Sequence, residues 1–252
     1  MMIGKGPVRG PLFHAITKGL HGGRGDGNGS GMSEHDQAKA PKLALVTGAS
    51  RGLGAALAEE LAARGYHVLA VARTVGGLEE LDDRIRTAGG QATLAPMDIG
   101  DAAAMQQMAQ AIEGRWGGLD LWAHCAVHAA PMSPAPHIEG RDWSKSMLMN
   151  VEVTRGLIAL LEPLLRRNGG TSIFFDDPRG GQKFFGAYGA TKAAQIALAR
   201  SWQAETARMG PRVVIDSPAP MPTATRARFF PGEDRDKLTP CRSEAVRILN
   251  AL

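Results

Sequence analysis

From residue 42 onward, short apolar runs alternate with longer segments of helical periodicity. The runs are apolar throughout, which indicates strands buried on both faces of a parallel sheet. We therefore expect one doubly wound α/β domain of six or seven strands with helices on both faces, and a ligand site at the carboxyl ends of the strands. The expected strands are Leu43–Thr47, His67–Ala72, Ala92–Ala95, Leu119–Cys125, Ser172–Phe175 and Val213–Ser217, and the expected helices are Leu53–Arg64, Leu78–Ala88, Ala102–Glu113, Trp143–Arg167, Ala187–Arg208 and Glu244–Leu252.

The first forty residues differ in composition from the rest of the chain. Residues 1–31 hold 10 of the 32 glycines, and four Lys or Arg residues against one Asp. A glycine-rich segment with little apolar surface cannot offset its own ordering entropy. We therefore expect residues 1–40 to be a disordered or over-called N-terminal extension, and residues 41–252 to form a single domain.

Charge, apolar run length and cysteine count argue against several classes of partner and site. Most of the formal net charge of +4 belongs to the glycine-rich extension, so it does not indicate a nucleic-acid partner. No run approaches the ~18 apolar residues of a membrane span. Two cysteines, Cys125 and Cys241, cannot build a disulfide framework or a zinc site, and no other metal-ligand spacing is present. We expect a cytoplasmic protein without a metal.

A glycine-rich turn lies between the first expected strand and the first expected helix. It reads Thr-Gly-Ala-Ser-Arg-Gly-Leu-Gly over residues 47–54. Glycines in such a turn let a pyrophosphate approach the helix N-terminus, where free N–H groups favour negative charge. The sequence therefore predicts a Rossmann-type nucleotide site formed by Gly48, Ser50, Arg51, Gly52, Leu53 and Gly54.

Four motifs, in order along the chain, resemble those of the short-chain dehydrogenase/reductase family. The turn matches TGxxxGxG, Asn150 matches the family's helix asparagine, Tyr188 and Lys192 match YxxxK, and residues 218–223 resemble a variant of its PG segment. The resemblance runs from about Lys42 to the C-terminus. It implies that Asn150, Tyr188 and Lys192 are catalytic. It also implies that the cofactor is bound by Lys192 and, beyond the turn, by Asp98, Ala126, Pro218 and Thr223.

The chemistry of the Tyr188–Lys192 pair also follows from its spacing. Residues four apart share one face of a helix, so the two side chains point together. A nearby ammonium favours phenolate, so we expect the pKa of Tyr188 to lie below its ordinary value. Such a tyrosine protonates a carbonyl oxygen as hydride arrives. The resemblance implies that the lysine also binds the nicotinamide ribose and that Asn150 holds a water in a proton relay.

The family's serine after the fifth strand is absent, which makes this chain an atypical relative. The strand ends in Phe175-Asp176-Asp177-Pro178, and counting from either side places Asp177 or Asp176 at the serine position. A carboxyl held neutral in a poorly solvated site can donate the hydrogen bond that the serine donates. The alternative is a solvent-facing Asp-Pro turn.

Two further segments depart from the family pattern. The family's NNAG is replaced by His-Cys-Ala-Val at residues 124–127. We expect the backbone at Ala126 to keep its contact with the cofactor, while the side-chain contacts change. His124 and His128 either line the substrate pocket or are structural. Residues 221–242 occupy the position of a substrate lid. With Arg226, Arg228, Phe229 and Phe230, this segment either clamps an anionic or aromatic substrate or is a mobile connector.

Cofactor preference is predicted by the end of the second strand. NAD-binding proteins usually have an acidic residue there, which accepts from the 2′-hydroxyl. Here Arg73 follows the strand, and Arg51 lies in the glycine-rich turn. Guanidinium groups bind a phosphate well and cannot accept from a hydroxyl. We expect NADP(H) to be preferred over NAD(H).

Together these features predict an NADP-dependent oxidoreductase of small carbonyl or alcohol substrates. The reduced group is a ketone or an aldehyde, with a C=N bond as a further option, and Tyr188 is the general acid/base. The alternative is a cofactor-binding scaffold or regulator that has lost turnover, since fold alone does not fix function. The resemblance also implies a homodimer or homotetramer that forms through the helices carrying Asn150 and Tyr188.

Overall fold

The computed structural model describes residues 41–252, and the extension expected at residues 1–40 lies outside the described residues. Strands and helices alternate along the described chain as far as β6. The strands are β1 Leu43–Thr47, β2 His67–Ala72, β3 Gln91–Pro96, β4 Leu121–His124, β5 Thr171–Phe175 and β6 Arg212–Asp216. The α-helices are α1 Gly52–Ala63, α2 Val75–Thr87, α3 Ala102–Trp116, α4 Gly140–Met147, α5 Val153–Asn168, α6 Gly186–Thr206, α7 Ala224–Phe229 and α8 Cys241–Asn250.

The six described strands form one parallel sheet in the order β3-β2-β1-β4-β5-β6. In its centre, Leu45 of β1 lies opposite Leu69 of β2 and Trp122 of β4. The chain moves outward from β1 to β3 and then returns to the other side of β1 with β4. This reversal places a crevice at the carboxyl ends of β1 and β4. The predicted doubly wound parallel sheet is confirmed, and it has six strands within the described chain.

Burial follows the position of each strand in the sheet. β1, β2 and β4 are completely buried because helices cover both faces of the centre, whereas β3 and β6 lie at the edges and are partly exposed. One face packs on α1, α2 and α8 through residues that include Leu57, Leu81 and Ile248. The rings of Trp122, Phe174 and Trp202 form a separate aromatic cluster that links β4 and β5 to α6.

The long helix expected over Trp143–Arg167 is interrupted, which corrects that prediction. A π-helical turn over Leu148–Glu152 joins α4 to α5 and holds Asn150 completely buried. Such turns are frequent at functional sites. The periodicity of the sequence does not reveal a single widened turn. α2 also begins three residues earlier than expected, at Val75. Gly77 in its first turn lies so close to Ser50 that a Cβ there would be 2.9 Å from the Ser50 carbonyl oxygen.

The segment over residues 221–242 is folded rather than an irregular connector. It contains α7, capped by Thr223, whose hydroxyl oxygen accepts the Arg226 N–H at 3.1 Å, and a 3₁₀ turn over Arg235–Lys237. The Arg226 guanidinium donates two 2.6 Å hydrogen bonds to Glu233. None of the helices within the described chain combines the length and the apolar character needed to cross a membrane.

Candidate active site

A cleft of about 530 Å³ opens at the carboxyl ends of the strands. Its walls come from the glycine-rich turn, the loops after β2 to β5, α6 and the segment over 221–242. All the predicted site residues except Asn150 line it: Gly48, Ser50, Arg51, Gly52, Leu53, Gly54, Arg73, Asp98, Ala126, Asp176, Asp177, Tyr188, Lys192, Pro218 and Thr223. Among the described residues, no group of three or more His, Cys, Asp or Glu side chains is placed to hold a metal ion.

The glycine-rich turn has no room for side chains at its closest approaches. Gly48 has a φ of +80°, and a Cβ there would lie 2.7 Å from the backbone nitrogen of Ala126. A Cβ on Gly54 would collide with the Gly48 carbonyl oxygen. No side chain caps the N-terminus of α1 at Arg51. The turn therefore presents bare backbone and free N–H groups to the cleft, which suits a pyrophosphate.

Tyr188 and Lys192, the predicted catalytic pair, lie on the face of α6 that lines the cleft. Tyr188 and Lys192 are only 4% and 6% exposed, in accord with their spacing on one helix face. The Lys192 ammonium donates a 2.7 Å hydrogen bond to Oε1 of Gln195. Burial lowers the pKa of Lys192 to about 8, because a charged ammonium is poorly solvated there.

Asp177 is the carboxylate that reaches Tyr188. The Tyr188 hydroxyl donates to Oδ2 of Asp177 at 3.0 Å, and Oδ1 lies 2.8 Å from Nε of Arg179. Asp177 thus accepts from Tyr188 and pairs with Arg179, and donation from a neutral Asp177 to a substrate stays a prediction. Burial and then Asp177 raise the pKa of Tyr188, so the expected lowering by Lys192 is wrong in this structure.

Asp176 makes a different set of contacts. Its backbone N–H donates to the Asp216 carbonyl of β6 at 2.7 Å, and its carboxylate lies 3.5 Å from a guanidinium nitrogen of Arg200. It lines the same cleft but has no hydrogen bond to Tyr188. The two aspartates that the sequence leaves equivalent are thus distinguished by the turn after β5, which directs Asp177 toward α6.

Asn150 is buried behind the cleft and uses both ends of its amide. Its Oδ1 accepts the backbone N–H of His128 at 2.7 Å, and its Nδ2 donates to the His128 carbonyl at 2.9 Å and to the Thr191 hydroxyl at 3.0 Å. These bonds join the π-helical turn to the loop after β4 and to α6. The asparagine therefore fixes the backbone on which the cleft is built.

His124 is the last residue of β4, and Cys125 follows it beneath the glycine-rich turn. His124 contacts the hydroxyls of Thr47 and Thr154, and burial lowers its pKa to about 3, so it stays neutral. Burial raises the pKa of the Cys125 thiol to about 12. A neutral, hydrogen-bonded imidazole and an unreactive thiol indicate structural roles for both side chains.

The outer end of the cleft is aromatic. Phe185, Tyr188, Phe229 and Phe230, named here the aromatic wall, pack together, with Phe185 and Phe229 in edge-to-face contact at 4.9 Å between ring centroids. The guanidinium of Arg179 lies over Phe185 and Phe230, and that of Arg226 lies 4.5 Å from the Phe230 ring centre. Both arginines are also paired with carboxylates, so the wall is apolar with neutralised charges at its rim.

Residues expected to contact the adenosine end lie together at the carboxyl ends of β2 and β3. Arg73 is largely exposed, and its guanidinium is 3.8 Å from Oδ2 of Asp98, a loose surface pair. Oδ1 of Asp98 accepts the Gly100 N–H at 2.9 Å. Arg51 is exposed at the start of α1 and has no ion-pair partner among the described side chains. Two guanidinium groups are thus available at this end of the cleft.

The sequence matches the family model for the short chain dehydrogenases over residues 42–234. The chain belongs to that family. Its members are oxidoreductases, and in this chain the glycine-rich turn, Tyr188 and Lys192 line one cleft at the edge of the parallel sheet.

Curated relatives of this short chain dehydrogenase have varied names. A fatty acyl-CoA reductase from Acinetobacter baylyi is 34% identical over 168 residues, 65% of this chain and 57% of the relative. An NADP-dependent 3-hydroxy acid dehydrogenase from Shigella flexneri is 30% identical over 157 residues, 60% of this chain and 61% of the relative. The matched stretch spans less than two thirds of either relative.

One similar solved structure contains a bound cofactor. A protein from Escherichia coli assigned to the short chain dehydrogenases and complexed with NADPH is 29% identical, with a TM-score of 0.74. The match covers 80% of this chain and 86% of that one.

The site contains residues that the sequence does not single out. Arg179 pairs with Asp177, and Gln195 accepts from Lys192. Gln195 carries a detectable signal, since it lies three residues after Lys192 on the same helix. Arg179 is in an irregular loop, and no periodicity predicts where its side chain points.

Proposed function

We propose that this short chain dehydrogenase is an NADP(H)-dependent oxidoreductase that reduces a small ketone or aldehyde. One observation carries the proposal: a buried tyrosine and a buried lysine share the floor of the cleft with a glycine-rich turn built for a pyrophosphate. The relative named as NADP-dependent and the NADPH complex of a structural neighbour support the choice of cofactor.

The residues present fit a dinucleotide. The glycine-rich turn and the free N–H groups of α1 would hold the pyrophosphate, and Arg51 and Arg73 would hold a 2′-phosphate. Asp98, Ala126, Pro218 and Thr223 line the remaining wall, and Lys192 lies where it would reach a ribose. When bound, NADPH supplies the hydride that reduces the carbonyl carbon.

Tyr188 supplies the proton in this proposal. Its hydroxyl is protonated at neutral pH, because burial and Asp177 oppose ionisation. As negative charge develops on the substrate oxygen, the hydroxyl transfers its proton to that oxygen. The Lys192 ammonium then stabilises the phenolate electrostatically, and the Arg179 guanidinium limits repulsion between that phenolate and Asp177.

The aromatic wall favours an apolar substituent on the substrate. Phe229 and Phe230 line the cleft, with Phe229 against the Tyr188 ring, and the buried Phe185 packs against both. The guanidinium groups at its rim are neutralised by Asp177 and Glu233, so they offer less attraction to an anion than two free arginines. We expect aryl or alkyl ketones and aldehydes to be better substrates than small keto acids.

A carbonyl panel with NADPH tests the proposal. NADPH oxidation is followed at 340 nm for aryl and alkyl ketones, aldehydes, a keto acid and an imine, and NADPH binding is measured in parallel by fluorescence. We expect turnover with at least one carbonyl. Binding without turnover on any substrate would instead favour the second candidate, a cofactor-binding scaffold or regulator, which the absent serine supports.

We also propose a homodimer or homotetramer. The exposed parts of α5 and α6 carry small residues that permit close helix packing: Gly156, Ala159, Ala190, Ala193 and Ala197. The leucines at 157, 161, 164 and 165 are buried within the chain, so they are not free for a partner. A monomer by light scattering at micromolar concentration would contradict this proposal.

A further inference from the structure

The Lys192 ammonium is hydrogen-bonded to a residue about one turn further along α6. Its Nζ donates to Oε1 of Gln195 at 2.7 Å, and Gln195 is 1% exposed. No other hydrogen bond of this ammonium to a described residue is present. Two of its three N–H groups thus remain free to act in the cleft.

The orientation of the Gln195 amide is fixed by its other end. Nε2 of Gln195 donates to the hydroxyl oxygen of Thr154 at 2.9 Å. If the amide were rotated, its NH₂ group would face the ammonium of Lys192, donor against donor, and the carbonyl would lose its cationic partner. Gln195 therefore presents an acceptor, and only an acceptor, to Lys192.

The chain of hydrogen bonds continues to the glycine-rich turn. The Thr154 hydroxyl donates to the Asn150 carbonyl at 2.9 Å, and its oxygen accepts from Gln195. The His124 ring joins Thr154 to Thr47: its Nε2 lies 3.1 Å from the Thr154 hydroxyl and its Nδ1 lies 2.8 Å from the Thr47 hydroxyl. These side chains are completely or almost completely buried. These buried contacts hold the Gln195 amide in one orientation, because Nε2 of Gln195 donates to Thr154 and Oε1 accepts from Lys192.

We propose that Gln195 is a positioning residue that holds the Lys192 ammonium in place and directs its two remaining N–H groups toward Tyr188 and the cofactor side of the cleft. Thr154, His124 and Thr47 hold the Gln195 amide in turn. The proposal rests on the proposed role of Lys192. A buried cation needs such an acceptor, because it has lost the water that would otherwise surround it.

Other groups also act on the charge of Lys192. Asp177 and Asp176 across the cleft favour the ammonium, and the Cys125 thiol does so weakly. The neutral His124 contributes no net charge, and Tyr188 is uncharged while it is protonated. Gln195 is therefore tested by substitutions that leave these groups in place.

Two substitutions with opposite expected effects separate this role from a structural one. Gln195→Leu removes the acceptor, and Gln195→Glu replaces it with an anion of the same shape. The titration of Lys192 is followed in the protein without cofactor by NMR of lysine labelled with ¹³C at Cε, and Lys192→Met identifies the resonance. We expect Leu to move the midpoint down by about one pH unit and Glu to move it up by at least as much.

The matched control is Gln203→Leu, because Gln203 lies on the same helix and bonds instead to the Val213 carbonyl. It should leave the Lys192 midpoint unchanged, and thermal unfolding confirms that each variant is folded. Equal midpoints in Gln195→Leu, Gln195→Glu and the unsubstituted protein would overturn the proposal. So would a shift in one common direction, which would indicate a structural change.

Kinetics adds an independent readout. Gln195→Leu should lower kcat for carbonyl reduction about tenfold with little change in KM, and Gln195→Glu should restore part of it. An unchanged kcat in Gln195→Leu would contradict the positioning role. If the unsubstituted protein reduces no carbonyl, the proposed function fails, and the NMR titration still decides whether Gln195 positions Lys192.

Discussion

The Tyr188 hydroxyl and the Asp177 carboxylate are joined by a 3.0 Å hydrogen bond in which the tyrosine is the donor. The other oxygen of that carboxylate is paired with Arg179 at 2.8 Å. A serine hydroxyl in this place can donate to a substrate oxygen, whereas a paired carboxylate only accepts. If Asp177 takes the position of the family's serine, it therefore differs from that serine in hydrogen-bonding role. We expect the Tyr188 hydroxyl to leave this bond when a substrate oxygen competes for its proton.

Replacing the Tyr188 hydroxyl is the most direct test of its role. Tyr188→Phe removes one oxygen from a ring packed against Phe185 and Phe229, so the fold should be retained. We expect kcat for reduction to fall by roughly 10²–10⁴, the usual contribution of a general acid, with NADPH affinity unchanged. Turnover equal to that of the unsubstituted protein would exclude Tyr188 as the proton donor.

Substitutions at Asp177 should shift the balance between reduction and oxidation. Asp177 raises the pKa of Tyr188, so its removal lowers that pKa and makes the phenolate, the base for alcohol oxidation, available at lower pH. We expect Asp177→Ser to preserve or increase reduction at neutral pH and to increase oxidation at pH 9.

The control series for this prediction uses alanine at both aspartates. Asp177→Ala should lower reduction, because no side chain would then orient the Tyr188 hydroxyl, a role that the hydroxyl of Asp177→Ser can still fill. Asp176→Ala should have the smaller effect, since its carboxylate faces Arg200 rather than Tyr188. Steady-state kinetics in both directions measures these changes. A larger loss in Asp176→Ala would mean that the roles of the two aspartates are reversed.

The local sequence predicts which residues line much of this site. The remaining features depend on contacts between segments that are distant in the sequence. The spacing of Tyr188 and Lys192 is enough to place both on one helix face. The choice between Asp176 and Asp177 depends on how the irregular turn after β5 meets α6, which no periodicity encodes. The direction of the Tyr188 pKa shift is wrong from sequence because burial, its largest cause, is a property of the assembled fold.

The same distinction applies to the fold. The apolar runs predict the strands to within a few residues, because every described strand is in one parallel sheet with helices against it. The π-helical turn around Asn150 is not predicted, since it leaves the pattern of apolar residues on either side intact. Within this turn the Asn150 amide is hydrogen-bonded to His128 and Thr191, contacts between separate segments that periodicity does not encode.

The buried ammonium of Lys192 should leave a signature in stability. Its pKa is about 8 in the folded protein and about 10.5 when unfolded, so between these values the unfolded chain binds more protons. The cost of burying the charge is therefore fully present below pH 8 and disappears as the pH rises toward 10.5. We expect the free energy of unfolding of the cofactor-free protein, relative to Lys192→Met, to increase by about 1–3 kcal/mol over this interval.

Urea unfolding at several pH values measures that difference. Comparing the free energies of unfolding of the two proteins at each pH cancels the contributions of the other lysines. The cost of leaving Gln195 without its partner does not depend on pH, so it does not affect the pH dependence of the difference. A pH-independent difference would show that Lys192 titrates normally in the folded state.

We expect cofactor choice to be decided at the exposed end of the cleft. Arg73 and Arg51 line the cleft there, and Asp98, an acid that lines it beside them, accepts from Gly100 and faces Arg73. We expect NADPH to bind more tightly than NADH by ~1.5–3 kcal/mol, the strength of ordinary charge-assisted contacts. Arg73→Asp should abolish or invert this preference, whereas Arg84→Asp, the same charge change on the exposed side of α2, should leave it intact. Dissociation constants for both cofactors, measured by titration calorimetry, give the ratio directly. Equal constants in the unsubstituted protein would exclude a 2′-phosphate site.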